Sequence, residues 1–207
     1  HKADVTPIPQ SESPVDASRM PMLKIGGSNV SRLIVGANPM WGWSHRGELL
    51  GQLMMEYYTT PQVVKVLQHC EACGINTWQT SLNSRHKDQD SPNQRVGEAW
   101  RMLKESGSQM NVVVLLTPRD LDDATSRKQL LRMKPIALVY HGHWTDRAWV
   151  EGKMDQVRER LKKCREAGAL VGCSLHTPEA LAWIEDQGWD LDFYMASFFR
   201  ASRKLRD

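Results

Sequence analysis

Two histidines, a tryptophan and an aspartate directly follow an apolar run of strand length, in the stretch from Pro135 to Asp146. A short continuous apolar run is typical of a buried parallel strand, and residues that follow such strands often carry the chemistry of α/β proteins. Neutral imidazoles suit proton transfer near neutral pH and also bind transition metals. His141 and His143 are therefore candidate catalytic residues. Continued strand geometry would place both on the face of Val139.

Polar and aromatic side chains also follow the other predicted strands, where α/β proteins commonly bind their substrates. His45, in an aromatic loop after the first strand, is a third catalytic candidate. Amide, indole and imidazole groups in these loops suit substrate binding, and flat indole faces suit the apolar faces of sugar rings. The substrate-binding candidates are Trp43, Gln79, Asn83, Trp144 and His176.

A metal site is not predicted. Cys70 and Cys73 form a Cys-x-x-Cys pair near the end of a predicted helix, but no second pair completes a zinc site. A metal-dependent reaction would have to use His141, His143 and His176. No short ligand motif such as His-Glu-x-x-His accompanies these three residues.

Composition excludes several classes of partner. The chain has 207 residues and a net charge of +3, with acidic and basic residues interspersed, which does not indicate a nucleic-acid surface. No apolar run approaches the roughly 20 residues that span a bilayer. We therefore expect a small-molecule substrate and leave the oligomeric state open. The sequence starts without Met and shows no signal peptide, which fits either a cytoplasmic protein or an exported one whose signal was removed.

Predicted strands and helices alternate along most of the chain. Turn residues and helix-start signals such as Thr59-Thr60-Pro61 separate them. The predicted strands of this alternation are residues 33–36, 75–81, 111–117, 135–140, 170–175 and 191–197. Such alternation predicts a parallel sheet with right-handed crossovers.

A parallel sheet of this kind is either open and doubly wound or closed into a barrel. No predicted strand is followed by the Gly-x-Gly-x-x-Gly fingerprint of the dinucleotide-binding open sheet, so we predict a TIM-type (β/α)8 barrel. A complete barrel needs about 250 residues. The six units therefore predict a barrel truncated after its sixth strand and a chain that is part of a longer protein. Residues 1–21 are predicted to be a flexible, Pro- and Ser-rich lead-in, and residues 22–207 the barrel.

Several segments resemble aldo-keto reductases. Residues 22–36 resemble the opening hairpin and first strand of that family, and ACGINTWQT at 72–80 is similar to its second-strand motif AGINxxDT. HWTD at 143–146 resembles the fourth-strand HWPD, and VGCSLHTPEAL at 171–181 resembles GVSNHSPEAL. The resemblance covers about residues 22–199, and the loop at 36–45 is similar to a divergent branch. It implies a barrel that binds NADPH and reduces a carbonyl with an Asp-Tyr-Lys-His set.

Most of that catalytic set is replaced in this chain. The resemblance places Gln79 at the Asp position and Thr117 at the Lys position, and residues 81–84 contain no tyrosine. It leaves His143 as the proton donor.

The nicotinamide contacts implied by the resemblance are also incomplete. Ser174 matches the serine that contacts the cofactor, and Asn38 in the first loop is a second candidate for cofactor binding. Leu175 and Met195 stand where the family has an Asn and a Gln.

Three classes of function follow. The first is an NADP-dependent oxidoreductase that acts on a carbonyl or sugar-like substrate with His143 as the acid. The second is a barrel enzyme that needs no nicotinamide, a lyase or isomerase of sugars that uses histidine acid–base chemistry or a metal. The third is a non-catalytic binding protein.

Overall fold

The computed structural model describes residues 16–82 and 92–197, which form an α/β fold. The strands are β1 (Met22–Ile25), β2 (Ser28–Ser31), β3 (Val35–Gly36), β4 (Thr77–Ser81), β5 (Asn111–Leu116), β6 (Ala137–Tyr140), β7 (Leu170–Leu175) and β8 (Phe193–Ala196). The helices are α1 (Glu48–Tyr57), α2 (Thr60–Ala72), α3 (Pro92–Glu105), α4 (Pro118–Asp122), α5 (Ala124–Met133), α6 (Gly142–Val150), α7 (Met154–Glu166) and α8 (Pro178–Asp186).

Six parallel strands form one sheet in the order β3-β4-β5-β6-β7-β8, so spatial order equals chain order. Within the described residues, β3 and β8 pair with one neighbour each and not with each other. The predicted TIM-type barrel is therefore wrong, and the sheet is an open half-barrel. Closure requires a hydrogen-bonded first and last strand at a consistent tilt and stagger. The alternation of strands and helices that led to the prediction is the same in closed and open parallel sheets.

The two faces of the sheet are packed very differently. One face lies under the helices and contributes residues such as Val114, Leu138 and Cys173 to a large buried cluster. The other face carries a small cluster around Val113, Ala137 and Val139. Side chains alternate along each strand, so every strand serves both faces. Within the described residues, the cluster on the second face contains no helical residue, and this face is the open side of the half-barrel.

The hairpin of β1 and β2 lies against the amino-terminal edge of the sheet. The Asn76 side chain joins the two parts: its Oδ1 accepts from Ser31 N at 2.9 Å, and its Nδ2 donates to Asn29 O at 3.0 Å. Asn111 Nδ2 donates to the same Asn29 oxygen at 3.2 Å. Hydrogen bonds across 45 to 82 positions of the chain therefore hold the hairpin in place.

Helix α6 forms the stretch that follows β6, where extended strand geometry was expected. It begins at Gly142, directly after His141, and the expected continuation of strand geometry through His143 is wrong. His141 takes the N-cap position, with its Nδ1 accepting from His143 N at 3.2 Å. The polar residues of 141–146 are thus distributed over a helical turn. None of the helices within the described residues has the length and apolar composition needed to cross a bilayer.

Candidate functional site

The carboxyl-terminal edge of β5, β6 and β7 gathers histidines and carboxylates. Each of these strands is followed within one or two residues by a helix. β5 is followed by Thr117, β6 by His141 and β7 by His176. Because parallel strands end side by side, these three loops form one surface.

His176 and Asp146 form a hydrogen-bonded pair on this surface. The Nδ1 of His176 lies 2.6 Å from Oδ2 of Asp146. The Asp146 side chain is 12% exposed and that of His176 is 38% exposed. A carboxylate only accepts hydrogen bonds, so Nδ1 carries the hydrogen and the lone pair of the neutral ring is on Nε2. The pair is therefore a buried orienting carboxylate and an imidazole that solvent reaches.

Asp146 is held by more than the imidazole. Its Oδ1 accepts from His176 N at 3.0 Å and from Thr177 Oγ1 at 3.3 Å. The carboxylate on α6 thus satisfies polar groups at the start of α8, where the first N–H groups of a helix lack partners. These contacts fix the position of the carboxylate relative to the ring.

His141 is the second imidazole of the cluster and is partly buried. Burial lowers the pKa of His141, and the neighbouring His143 and His176 lower it further, whereas Asp120 and Asp146 oppose the decrease. The ring is therefore neutral at pH 7. Since its Nδ1 accepts from His143 N, the neutral ring carries its hydrogen on Nε2.

Asp120 contributes the second carboxylate near His141. It is 2% exposed, and its Oδ2 accepts from Thr117 N at 2.8 Å and from Thr117 Oγ1 at 2.7 Å. The two residues form a capping box at the start of α4. Thr117, expected at the position of a catalytic lysine, thus has a capping role in this structure.

Ser174 and Gly142 bring β7 and α6 into close approach beside His176. A Cβ on Gly142 would lie 2.9 Å from Ser174 Oγ and 3.0 Å from His176 Cε1. Glycine is required at this position because any side chain would displace one of these groups. Ser174 is 6% exposed and lies on the open face of the sheet, in register with Met195.

The other catalytic candidates lie apart from the pair. His143 is exposed in the first turn of α6, with its ring edge-on to Trp144 at a centroid distance of 5.3 Å. Trp144 packs against the large core cluster, and Arg147 lies over its ring at 6.0 Å. His45 is exposed in the loop that precedes α1.

The remaining candidates are spread over the first two strands. Trp43 is 40% exposed, and Asn38 is exposed directly before a 3₁₀ turn that begins at Pro39. Gln79 is half-buried on β4, on the open face, in register with Val113. Asn83 lies outside the described residues.

From the sequence, Asp146 is predicted to cap a helix or pair near Arg147 rather than to act as an acid. The capping role is present at the start of α8, but Arg147 pairs with Glu151 at 2.6 Å and Asp146 pairs with His176. The chemical role of Asp146 was missed because His176 lies 30 positions away. Recognition of a helix over residues 142–150 would have placed the Asp146 side chain on the side of that helix that faces β7.

No group of three or more His, Cys, Asp or Glu side chains within residues 16–82 and 92–197 is arranged to hold a metal ion. Cys70 lies near Cys73, and burial together with that neighbour raises the Cys70 pKa, which makes its thiol less reactive.

A depression of about 390 Å³ lies at the opposite edge of the sheet, with Gly27 and Pro135 in its lining. The guanidinium of Arg165 faces it but is already paired, at 2.6 Å with Asp192 and 3.1 Å with Asp190. It therefore offers no unpaired charge to a ligand.

No family model matches the chain, and no curated protein matches it significantly. The resemblance to aldo-keto reductases accordingly stays a prediction that rests on the quoted motifs. The geometry of the carboxyl edge is the basis for assigning a function.

Proposed function

We propose that this protein is an enzyme that moves protons on a small hydroxyl- or carbonyl-bearing substrate, such as a sugar, by histidine acid–base catalysis without a nicotinamide. The observation that carries the proposal is the 2.6 Å hydrogen bond between His176 Nδ1 and Asp146 Oδ2. An imidazole held by a carboxylate at the carboxyl edge of a parallel sheet is a well-suited general base.

His176 is the catalytic residue and Asp146 its positioning residue. The hydrogen bond at Nδ1 directs the basic lone pair to Nε2 and stabilises the imidazolium that forms when Nε2 takes a proton. Three hydrogen bonds to one carboxylate prevent it from turning away. The exposed ring can then return the proton to another atom of the substrate, which completes an isomerisation or an elimination.

His141 supplies a complementary group. Its neutral ring carries hydrogen on Nε2 and can donate to an oxygen on which negative charge develops. Burial keeps the His141 pKa low, so this donor stays neutral while His176 cycles between its two charge states. Two histidines in different environments thus take different roles.

The test is proton exchange in D2O. The protein is incubated with glycolaldehyde, dihydroxyacetone and glyceraldehyde, and the loss of the C–H signal next to the carbonyl is followed by NMR. We expect exchange above background, reduced about 10²–10⁴-fold in His176→Gln because the general base is gone. Asp146→Asn should also reduce it, since an amide no longer fixes the tautomer.

His69→Gln is the matched control, since His69 lies on α2 outside the cluster and should leave the exchange rate unchanged. Exchange that persists at the full rate in His176→Gln, with the variant folded, would refute the assignment.

NADP-dependent reduction of a carbonyl, with His143 as the acid, is a second candidate. It is supported by the buried Ser174 beside His176, at the position where the resemblance expects a nicotinamide contact. Titration with NADPH, followed by quenching of tryptophan fluorescence, distinguishes the two candidates. Saturable quenching supports the reductase, and its absence in the full-length protein rejects it.

A further inference from the structure

The N-terminus of α6 faces a buried hydroxyl group. Ser174 is 94% buried and its Oγ lies against Gly142, 2.9 Å from where a Cβ would stand. Within the described part of the chain, this hydroxyl has no hydrogen-bond partner, and it is not among the fully enclosed polar atoms. A buried hydroxyl that keeps an accessible oxygen is typical of a group that binds a ligand.

The backbone of α6 adds a donor at the same place. His143 N donates to His141 Nδ1, and Trp144 N donates to His141 O at 3.0 Å. The N–H of Gly142 makes no hydrogen bond to any described residue. The N-terminus of a nine-residue helix also carries a partial positive charge that attracts anions.

We propose that Ser174 and the N-terminus of α6 bind the carboxylate of the substrate, so that the enzyme acts on a small hydroxy acid or sugar acid. This inference rests on the proposed function for the role of His176, which lies beside Ser174 against Gly142. Asp120 and Asp146 lie close to the same edge and repel anions. A singly charged carboxylate suits this field better than a doubly charged phosphate.

Gly142 explains how α6 can lie this close to β7. Its φ is not positive, so the backbone does not require glycine. A methyl group there would meet Ser174 Oγ and His176 Cε1 at 3.0 Å or less. The missing side chain therefore lets α6 approach β7 closely and brings the start of the helix next to the Ser174 hydroxyl.

The probe is glycolate, the smallest 2-hydroxycarboxylate, titrated into the ¹⁵N-labelled full chain. We expect saturable changes in the amide signals of Gly142, His143 and Ser174. Glycolamide, which has the same shape without the charge, should bind about tenfold more weakly because charged hydrogen bonds are stronger than neutral ones. Inorganic phosphate should also bind more weakly than glycolate.

The variants Ser174→Ala and Gly142→Ala should each weaken glycolate binding about tenfold, the first by removing a donor and the second by displacing the Ser174 hydroxyl from the start of α6. Ser108→Ala is the control: Ser108 is also buried, at 7% exposure, but its Oγ accepts from Met110 N away from this edge. It should bind glycolate like the unchanged chain. The amide signals of the unchanged chain provide a result even if a variant does not fold.

Equal binding of glycolamide or phosphate would overturn the carboxylate assignment, as would amide changes that avoid α6. Glycolate binding needs no turnover. A chain that binds glycolate at α6 but shows no proton exchange would contradict the proposed function and support the anion site. Proton exchange without glycolate binding would support the proposed function and contradict the anion site.

Discussion

At the scale of single residues, the Asp146 carboxylate joins structure and chemistry. It accepts from a backbone N–H, a threonine hydroxyl and an imidazole, all at the start of α8. The same contacts that complete the helix terminus therefore orient His176. A substitution at Asp146 changes both the stability of this junction and the tautomer of the ring.

Acidification should destabilise the protein through His141. Burial first, and then His143 and His176, place its folded pKa below the usual value of about 6.5, while Asp120 and Asp146 act in the opposite direction. As the pH falls through about 6.5, the unfolded chain takes up the proton before the folded chain does. The free energy of unfolding should therefore decrease on the acidic side of that value.

His141→Asn is the matched variant for this measurement. Asparagine is a good N-cap and does not titrate, so α6 keeps its cap while the proton uptake is removed. Urea unfolding at about pH 7.5 and about pH 5.5 should show a larger loss of stability in the unchanged chain than in the variant. An identical loss in both would show that His141 is not the group responsible.

The sequence predicted which histidines lie at the carboxyl edge, but it did not predict which side chains they contact there. His141 and His176 each follow a predicted strand, and the strand period alone places them on the open face. Their partners lie on helices, and no local pattern pairs Asp146 with a residue 30 positions later. Hydrogen bonds between distant segments depend on the packing angle of α6, which hydrophobic periodicity does not specify.

At the scale of elements, the junction of β6 and α6 determines the site. The helix begins at Gly142, so His141 turns inward as the cap while His143 turns to solvent. Helix α2 has a clear start signal in Thr59-Thr60-Pro61 and is present at Thr60–Ala72. Helix α6 begins after His141, which is not one of the usual N-cap residues, so its start carries no such signal.

The Asn76 side chain should make a large contribution to holding the hairpin on the sheet. Asn76→Ala removes the acceptor of Ser31 N and the donor to Asn29 O, and should lower the free energy of unfolding by about 1–3 kcal/mol because polar groups lose their partners. Denaturant unfolding measures the change. Asn29→Ala is the control, since the backbone oxygen of Asn29 takes part and its side chain does not. Equal effects of the two substitutions would contradict this role of Asn76.

At the scale of the whole molecule, the sheet has one covered face and one open face. The α/β class and the parallel strands were predictable because buried strands, helix caps and turn residues are local signals. Closure of the barrel was not, because it depends on a pairing between β3 and β8 that is absent from the described residues. An open sheet and a closed barrel share the same alternation of strands and helices. They differ in whether the first and last strands of the sheet pair with each other.

Adjacent leucines on β5 test this asymmetry. Leu116 is fully buried on the helix side, whereas Leu115 is partly buried on the open face. Leu116→Ala should cost about 2–5 kcal/mol of unfolding free energy through lost contacts and the cavity left behind. Leu115→Ala should cost clearly less, as measured by urea unfolding. Equal costs would mean that a further part of the protein or a second copy covers the open face in solution.

The strands of the six-stranded sheet lie side by side in the order in which they occur in the chain, and this has a consequence for synthesis. From β4 to β8, each new strand pairs with the strand made just before it, and within the described residues no later strand inserts between two earlier ones. A chain that emerges from the ribosome N-terminus first can therefore add one strand and one helix at a time to a growing edge. The Asp146–His176 pair is completed only when β7 and the residues after it have docked beside α6, so this pair forms after β3 to β6 are in place.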